Sequence, residues 1–412
     1  MTFLPSDSLV LGPRHKSFPP ETWGRPVTDV IGTLDVTNGD FMTPAISLSE
    51  SALRANVALL QRFCAAHGMK LAPHIKTTMS PEIVRAQLAA GAWATTVANV
   101  YQAAAMMDVS NRFLIANQVQ DVRAIDFMGA IRDDNPDVEM MCWVDSVDGV
   151  CRMDAVLNAR GQRHAVPVLV EVGLAGGRAG VRTLADAQHV AAAVSASSHL
   201  HLVGVCAFEG VIHSAEEVTR FLEFVAEVAF ELSTASSEDT FIVSAGGTSY
   251  LEAVADELAT RWADDSQMMV VLRSGCYVAY DSGVYARERR GLALAFAPAV
   301  HVWSTVVSRP EPELAILDFG KRETGTDCGF PTVEFRIPSG RGEVMAPPAG
   351  RIIAMNDQHT YFHLASGDPR GLAVGDVLGC GISHPCTTFD KWSVLPVVDD
   401  AWRLAGLVTT RF

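Results

Sequence analysis

Clustered basic residues are missing from this chain. Its 412 residues carry 32 Lys and Arg against 47 Asp and Glu, a formal net charge of −15. Neutralising nucleic-acid phosphates takes grouped cations, so the composition argues against a nucleic-acid surface and favours a small-molecule partner. CxxC pairs are missing too. The eight cysteines (Cys64, Cys142, Cys151, Cys206, Cys276, Cys328, Cys380, Cys386) are scattered, several within apolar strand-like runs, and form no dense framework. They read as reduced thiols. No apolar run approaches the ~20 residues of a membrane span. The opening MTFLPSDSLV lacks the basic start and apolar core of a signal peptide. The expectation is a soluble cytoplasmic protein.

Long helical stripes are absent after residue 295, and their presence before it divides the chain. From about 45 to 285, short β-rich runs alternate with amphipathic stretches, the rhythm of a parallel sheet. The strand candidates are 70–76, 93–99, 112–118, 139–145, 165–173, 202–210, 240–246 and 268–275. In the helix that precedes them, Leu53, Val57, Leu60 and Cys64 fall on one face and Gly68 supplies a stop. A later helix carries the stripe Val218, Phe221, Leu222, Val225, Ala229 and Leu232. Eight strands with eight helices predict an α/β fold, a closed (β/α)8 barrel, with an open doubly wound sheet as the alternative. The expected domains are a Pro- and Gly-rich segment 1–42 packing on the second domain, a barrel 43–290, and a C-terminal β domain 291–412.

Functional residues of such a barrel sit at the C-terminal ends of its strands. The first ends in PHIKTTMSPE, where strand alternation puts Ala72, His74 and Lys76 on one face. A desolvated lysine at the barrel mouth is a candidate Schiff-base nucleophile, against the plainer reading of a solvated strand end. The seventh strand runs into Gly246, Gly247 and Thr248 before a helix, and the eighth into Gly275 and Cys276. Loops at these two positions commonly hold a phosphate. A strand-one lysine facing such a cradle suits pyridoxal 5′-phosphate. In SHPCTTFDKW, an extended chain would project His384 and Cys386 to the same side, where both could reach a soft metal ion. Packing is the plainer reading of that pair.

The order TPAISLSESALRANV, PHIKT, EVGLAGGRAGV, SAGGTS, RSGCYVAYD, LDFGKRETGTDCGFP and SHPC resembles the D-serine dehydratase and D-threonine aldolase family, the metal-assisted branch of the alanine-racemase-like, fold-type III pyridoxal-phosphate enzymes. The resemblance spans about residues 42–395. It implies an alanine-racemase-like barrel with a C-terminal β domain, acting as a homodimer. It makes Lys76 the Schiff-base lysine, places Gly246, Gly247, Thr248, Gly275 and Cys276 in the phosphate loops and Arg178 near the cofactor, and makes His384 and Cys386 zinc ligands. One departure stands out: where the family often shows Tyr-x-Gly-His, this chain reads Phe208, Glu209, Gly210 and Val211, with His213 nearby as a substitute imidazole.

The implied activity is a zinc- and pyridoxal-phosphate-dependent lyase that dehydrates D-serine or a related β-hydroxy D-amino acid to a 2-oxo acid and ammonia. Zinc on the β-oxygen would let a poor leaving group depart. Lys76 is the natural base for the α-hydrogen. In this family a thiolate ligand resembles the dehydratases and an H-x-D pair the aldolases, so Cys386 favours dehydration over retro-aldol cleavage. A racemase, which needs no metal, a non-catalytic pyridoxal-phosphate carrier and, without the cofactor, a generic metal-binding barrel enzyme are the remaining readings. His359 stands as a third ligand, an acid or a strand histidine. Asp327 and Lys321 either shape the site or cap turns, and Tyr277 and Tyr280 line the pocket or pack in the core.

Overall fold

The computed structural model describes residues 3, 9–234, 236, 238–287, 293–367 and 371–412. The expected domain boundary between 290 and 291 lies outside the described residues. Strand β1 (Ala45–Ser49) leads into the helix Glu50–Ala66, where Ser49 Oγ caps by accepting from Ala52 N at 3.3 Å. Such a cap contributes about 1 kcal/mol. The helix buries the apolar stripe read from the sequence and stops at Gly68, which takes the left-handed φ of +68° that a side chain disfavours.

Eight short strands follow: β2 (Lys70–Leu71), β3 (Thr95–Val97), β4 (Arg112–Gln118), β5 (Glu139–Val144), β6 (Val166–Val172), β7 (Leu200–Ala207), β8 (Phe241–Ala245) and β9 (Met268–Leu272). Each falls within one of the eight expected runs except β7, which starts two residues early. They form one parallel sheet in the order β2-β9-β8-β7-β6-β5-β4-β3. The ends meet through an isolated parallel bridge between His74 and Thr96, with Thr96 N donating to Pro73 O at 2.8 Å. Ala72, Leu114, Met141, Trp143, Leu169, Cys206, Ile242 and Val271 belong to one buried cluster contributed by the strands. This is the packed interior that a barrel of this kind requires. The outer helices close over it, and the expected stripe of the helix Ala215–Thr234 is buried throughout.

The second sheet is mostly antiparallel. It contains β10 (Val300–Glu311), β11 (Leu314–Leu317), β12 (Thr332–Ile337), β13 (Gly350–Met355), β14 (Thr360–Leu364), β15 (Val377–Gly381), β16 (Val394–Val398) and β17 (Leu404–Thr409). Its main path is β13-β14-β11-β10-β1-β16-β17, and β15 joins β10 to β12. Strand β1 therefore belongs to this sheet, and the chain enters the barrel at the helix starting with Glu50, not at residue 43. The reason is pairing: Ala45 to Leu48 pair with Trp303 to Val300 on one edge, and Leu48 and Ser49 pair with Val397 and Val398 on the other. Leu11, Phe18, Val27, Val30 and Leu34 share a buried cluster with Val394, Leu404 and Leu407.

The last strand ties the two sheets together. Thr409 donates from N and Oγ1 to the buried carboxylate of Glu82, at 3.0 Å each, on the barrel helix Pro81–Ala89. Arg411 N donates to Met79 O at 2.9 Å, and its guanidinium pairs with Asp108. These contacts hold the β domain against the turn that carries Lys76. Among the described residues, no helix is long and apolar enough to cross a membrane.

Candidate active site

A cavity of about 250 Å³ opens at the C-terminal ends of the barrel strands. All nine residues expected at the site, Lys76, Arg178, Gly246, Gly247, Thr248, Gly275, Cys276, His384 and Cys386, line it. The β domain supplies His384 and Cys386 and the barrel supplies the rest, so the site exists only where the two meet.

Local geometry places Lys76 differently from the expected strand pleat. Pairing with the β9 side continues only through Ala72 N to Leu272 O and His74 N to Ser274 O, and Ile75–Thr77 then turns as a 3-10 helix. Lys76 therefore stands on a turn and is exposed at the cavity. His74 beside it is held neutral, its pKa driven well below the usual value by burial and then by the charges of Lys76 and Arg273. Its Nδ1 donates to Thr96 O at 3.1 Å.

The glycine loop is also more committed than the sequence suggests. The Gly246 and Gly247 amides donate to the two oxygens of Glu209 at 3.0 and 2.8 Å, and Glu209 is completely buried. Two donors of the expected phosphate cradle thus already hold a carboxylate. Gly275 lacks room for any side chain, since a Cβ there would sit 2.6 Å from His74 O and 2.8 Å from Thr77 Oγ1. Only a glycine lets the backbone approach the cavity so closely.

At the opposite end, His384 and Cys386 do converge, but not through strand alternation. Pro385 takes helical angles (φ −61°, ψ −45°) and starts the short helix Cys386–Phe389. Thr388 Oγ1 donates back to His384 O at 2.8 Å and fixes this turn. Cys386 Sγ lies 3.5 Å from Cys276 Sγ and 3.4 Å from Thr77 Oγ1. His384 Nδ1 donates to Asp327 Oδ2 at 2.7 Å, and Thr387 Oγ1 donates to the other oxygen at 2.7 Å. Hydrogen bonds from Cys276, His384 and Thr77 hold Cys386 well below the ordinary thiol range. The same contact with Cys386, helped by Asp327, raises His384 to about 9. Two candidate cation sets result, Cys276/His384/Cys386 and Asp327/Cys328/His384, each with its ligand atoms within 4.8 Å of one another.

Several cavity residues were not singled out from the sequence. Arg273 is buried and donates to Ser244 Oγ at 2.7 Å and Ala207 O at 2.6 Å, with its guanidinium 5.4 Å over the Trp143 ring. Glu171 accepts from Gln118 Nε2 at 2.5 Å, and burial raises its carboxyl. The signal was available: Arg273 and Glu171 interrupt apolar strands at their C-terminal ends. Tyr285 also lines the cavity. Arg178 is exposed to it, 6.0 Å over the Phe208 ring.

The softer candidates separate cleanly. His359 is exposed at the β13–β14 turn, where its carbonyl accepts from Asn356 N, and it does not reach the cavity. Lys321 and His213 are exposed and also lie outside its lining. Tyr277 is fully buried, its hydroxyl accepting from Gln87 at 2.9 Å, and Tyr280 is buried with its hydroxyl on Tyr285 O, so both pack in the core.

Residues 48–262 match the family described as "Alanine racemase, N-terminal domain" and residues 299–398 the family described as "Putative serine dehydratase domain". The sequence is 26% identical to D-threonine aldolase of Arthrobacter sp over 382 residues, 88% of this chain and 92% of that protein. It is 25% identical to D-threo-3-hydroxyaspartate dehydratase of Delftia sp. (strain HT23), covering 87% of this chain and 93% of that protein. The fold is similar to that of D-threonine aldolase from Filomicrobium marinum, with a TM-score of 0.75 at 22% identity over 92% of this chain and 97% of that one. Similar solved structures include a histidine-to-alanine variant of D-threo-3-hydroxyaspartate dehydratase and a cysteine-to-alanine variant of D-threo-3-hydroxyaspartate dehydratase in the metal-free form, and the two substituted positions are two apart.

Proposed function

Because this chain belongs to the alanine-racemase-like, fold-type III pyridoxal-phosphate family that contains D-threonine aldolase and D-threo-3-hydroxyaspartate dehydratase, we propose that it is a metal-assisted lyase that dehydrates a β-hydroxy D-amino acid of the D-serine class to a 2-oxo acid and ammonia. The observation that carries this reading is the convergence of His384 and Cys386 on the cavity that also holds Lys76.

The residues present fit pyridoxal phosphate. Lys76 offers an amine in the cavity, and Arg178 and Arg273 add positive charge around it. With the Gly246 and Gly247 amides on Glu209, Thr248 and the close backbone at Gly275 and Cys276 would hold the phosphate. Bound there, the cofactor supplies an electron sink for the charge that develops on the substrate α-carbon. Lys76 takes the α-hydrogen. His384 and Cys386 fit a zinc ion, which supplies Lewis acidity toward the β-oxygen. Asp327, bound to Nδ1 of His384, orients the ring and leaves Nε2 as the nitrogen that would hold the metal. The soft sulfur of Cys386 favours zinc over magnesium or manganese. The H-x-C spacing agrees with the substituted histidine and cysteine of D-threo-3-hydroxyaspartate dehydratase, two apart, the cysteine variant being in a metal-free form.

Product analysis tests the reading. Purified protein is incubated with D-serine and with D-threonine in the presence of pyridoxal phosphate and zinc, with a chelated control. Pyruvate or 2-oxobutyrate with equimolar ammonia, lost on chelation, is the expected result. Glycine and acetaldehyde from D-threonine would instead make the enzyme an aldolase, like the Arthrobacter relative. Turnover that survives chelation would remove the metal from the mechanism.

A further inference from the structure

The metal end of the cavity holds one more soft donor than the H-x-C pair. Cys276 follows β9 and is buried, with its Sγ 3.5 Å from Cys386 Sγ. Two sulfurs bound to one tetrahedral zinc at ~2.3 Å stand about 3.8 Å apart, close to this separation, whereas a disulfide would need about 2.05 Å. The His384 ligand nitrogen completes a set of three atoms within 4.8 Å. We infer that Cys276 is a third protein ligand, so that the barrel and the β domain share one Cys2His zinc centre. This rests on the metal-binding reading of His384 and Cys386 and extends it to a residue whose expected part was confined to the phosphate loop.

The competing set, Asp327/Cys328/His384, shares the histidine but not the cavity. Cys276, His384 and Cys386 all line the cavity, whereas Asp327 and Cys328 do not. Asp327 takes Nδ1 of His384, which suits an outer partner that orients the ring toward the first set.

Three protein ligands have consequences that two would not. Two thiolates and a neutral imidazole cancel the charge of the dication and leave one open position in a tetrahedral shell. The substrate then meets the metal through a single oxygen. The set is also soft enough to select zinc strongly over magnesium and manganese.

The test uses the full-length protein, purified in reducing buffer, stripped of metal and reloaded with cobalt(II) or zinc. Wild type, Cys276→Ala, Cys386→Ala and Cys328→Ala are compared by sulfur-to-cobalt charge-transfer absorbance and by zinc affinity. Cys276→Ala is expected to lose about half of the charge-transfer intensity and on the order of 100-fold or more in zinc affinity, beyond the ~10–100-fold that follows loss of an outer-shell partner. Cys328→Ala is expected to change neither. A second readout needs no variant: zinc is expected to protect both Cys276 and Cys386 of the wild type from alkylation, as read by peptide mass spectrometry. If Cys276→Ala keeps the full band and affinity, or Cys276 alkylates equally with and without zinc, while Cys386→Ala loses the metal, the third ligand is wrong and the two-ligand reading stands. If wild type binds neither ion, both fall.

Discussion

The two ends of the cavity are built by opposite means. The glycine end relies on backbone amides, two of which a carboxylate 37 and 38 residues earlier in the chain already occupies. The proposed metal end relies on side chains, His384, Cys386 and Cys276, brought together from two domains. A side-chain donor announces its chemistry in the sequence and keeps it wherever the fold carries it. A backbone amide announces nothing, and its availability depends on a distant partner such as Glu209.

Substitution at either end separates the two designs. The largest loss is expected for Lys76→Ala, which should cut kcat by ~10²–10⁴ or more and remove the visible band of added pyridoxal phosphate, read by absorbance and product assay. Zinc content of that variant should be unchanged, because Lys76 is not among the candidate ligands. Next, Asp327→Asn keeps an acceptor for His384 but removes its charge. Zinc affinity should fall roughly 10–100-fold, measured by competition with a chromogenic chelator.

A smaller effect is expected from Glu209→Gln, which turns an amide donor toward an amide donor in a buried site. Stability should drop by about 1–3 kcal/mol in denaturant unfolding, with zinc content unaltered. Loss of zinc from this variant would mean that the two ends are coupled. The mildest change concerns pH. Burial raises Asp281 from 3.8 to about 6, although its Oδ1 accepts from the Gly283 and Tyr285 amides, and its Oδ2 has no partner among the described residues. The native state then holds a proton that the unfolded chain releases, so this group's contribution falls as pH rises from about 4 to about 6 and stays reduced above. Asp281→Asn should flatten that part of the melting-temperature profile.

Much of the fold was legible because the burial pattern is local. The stripes at Leu53 and Val218 and the eight apolar runs each declare their element within a few residues. The placement of β1 was not, since a five-residue strand reads alike in either sheet and only its pairing with β10 and β16 decides. In the site, His384 and Cys386 were found for a geometric reason that proved mistaken: the turn at Pro385, not a pleat, brings them together. Cys276 was noticed for its backbone, and only proximity across 110 residues shows what its sulfur touches. Glu209 drew attention only as a departure beside Phe208, because its amide partners lie beyond the next strand.

The pairing of β1 sets an order of events during synthesis. Residues 45–49 precede every barrel strand, yet their neighbours are Trp303 and its strand on one side and Val397 on the other. A ribosome that has released the whole barrel has still not delivered a partner for its first strand, nor the histidine and cysteine that complete the cavity. The cavity therefore stays incomplete until residues 384–386 have been made, and Thr409 and Arg411 then fasten the β domain to the barrel.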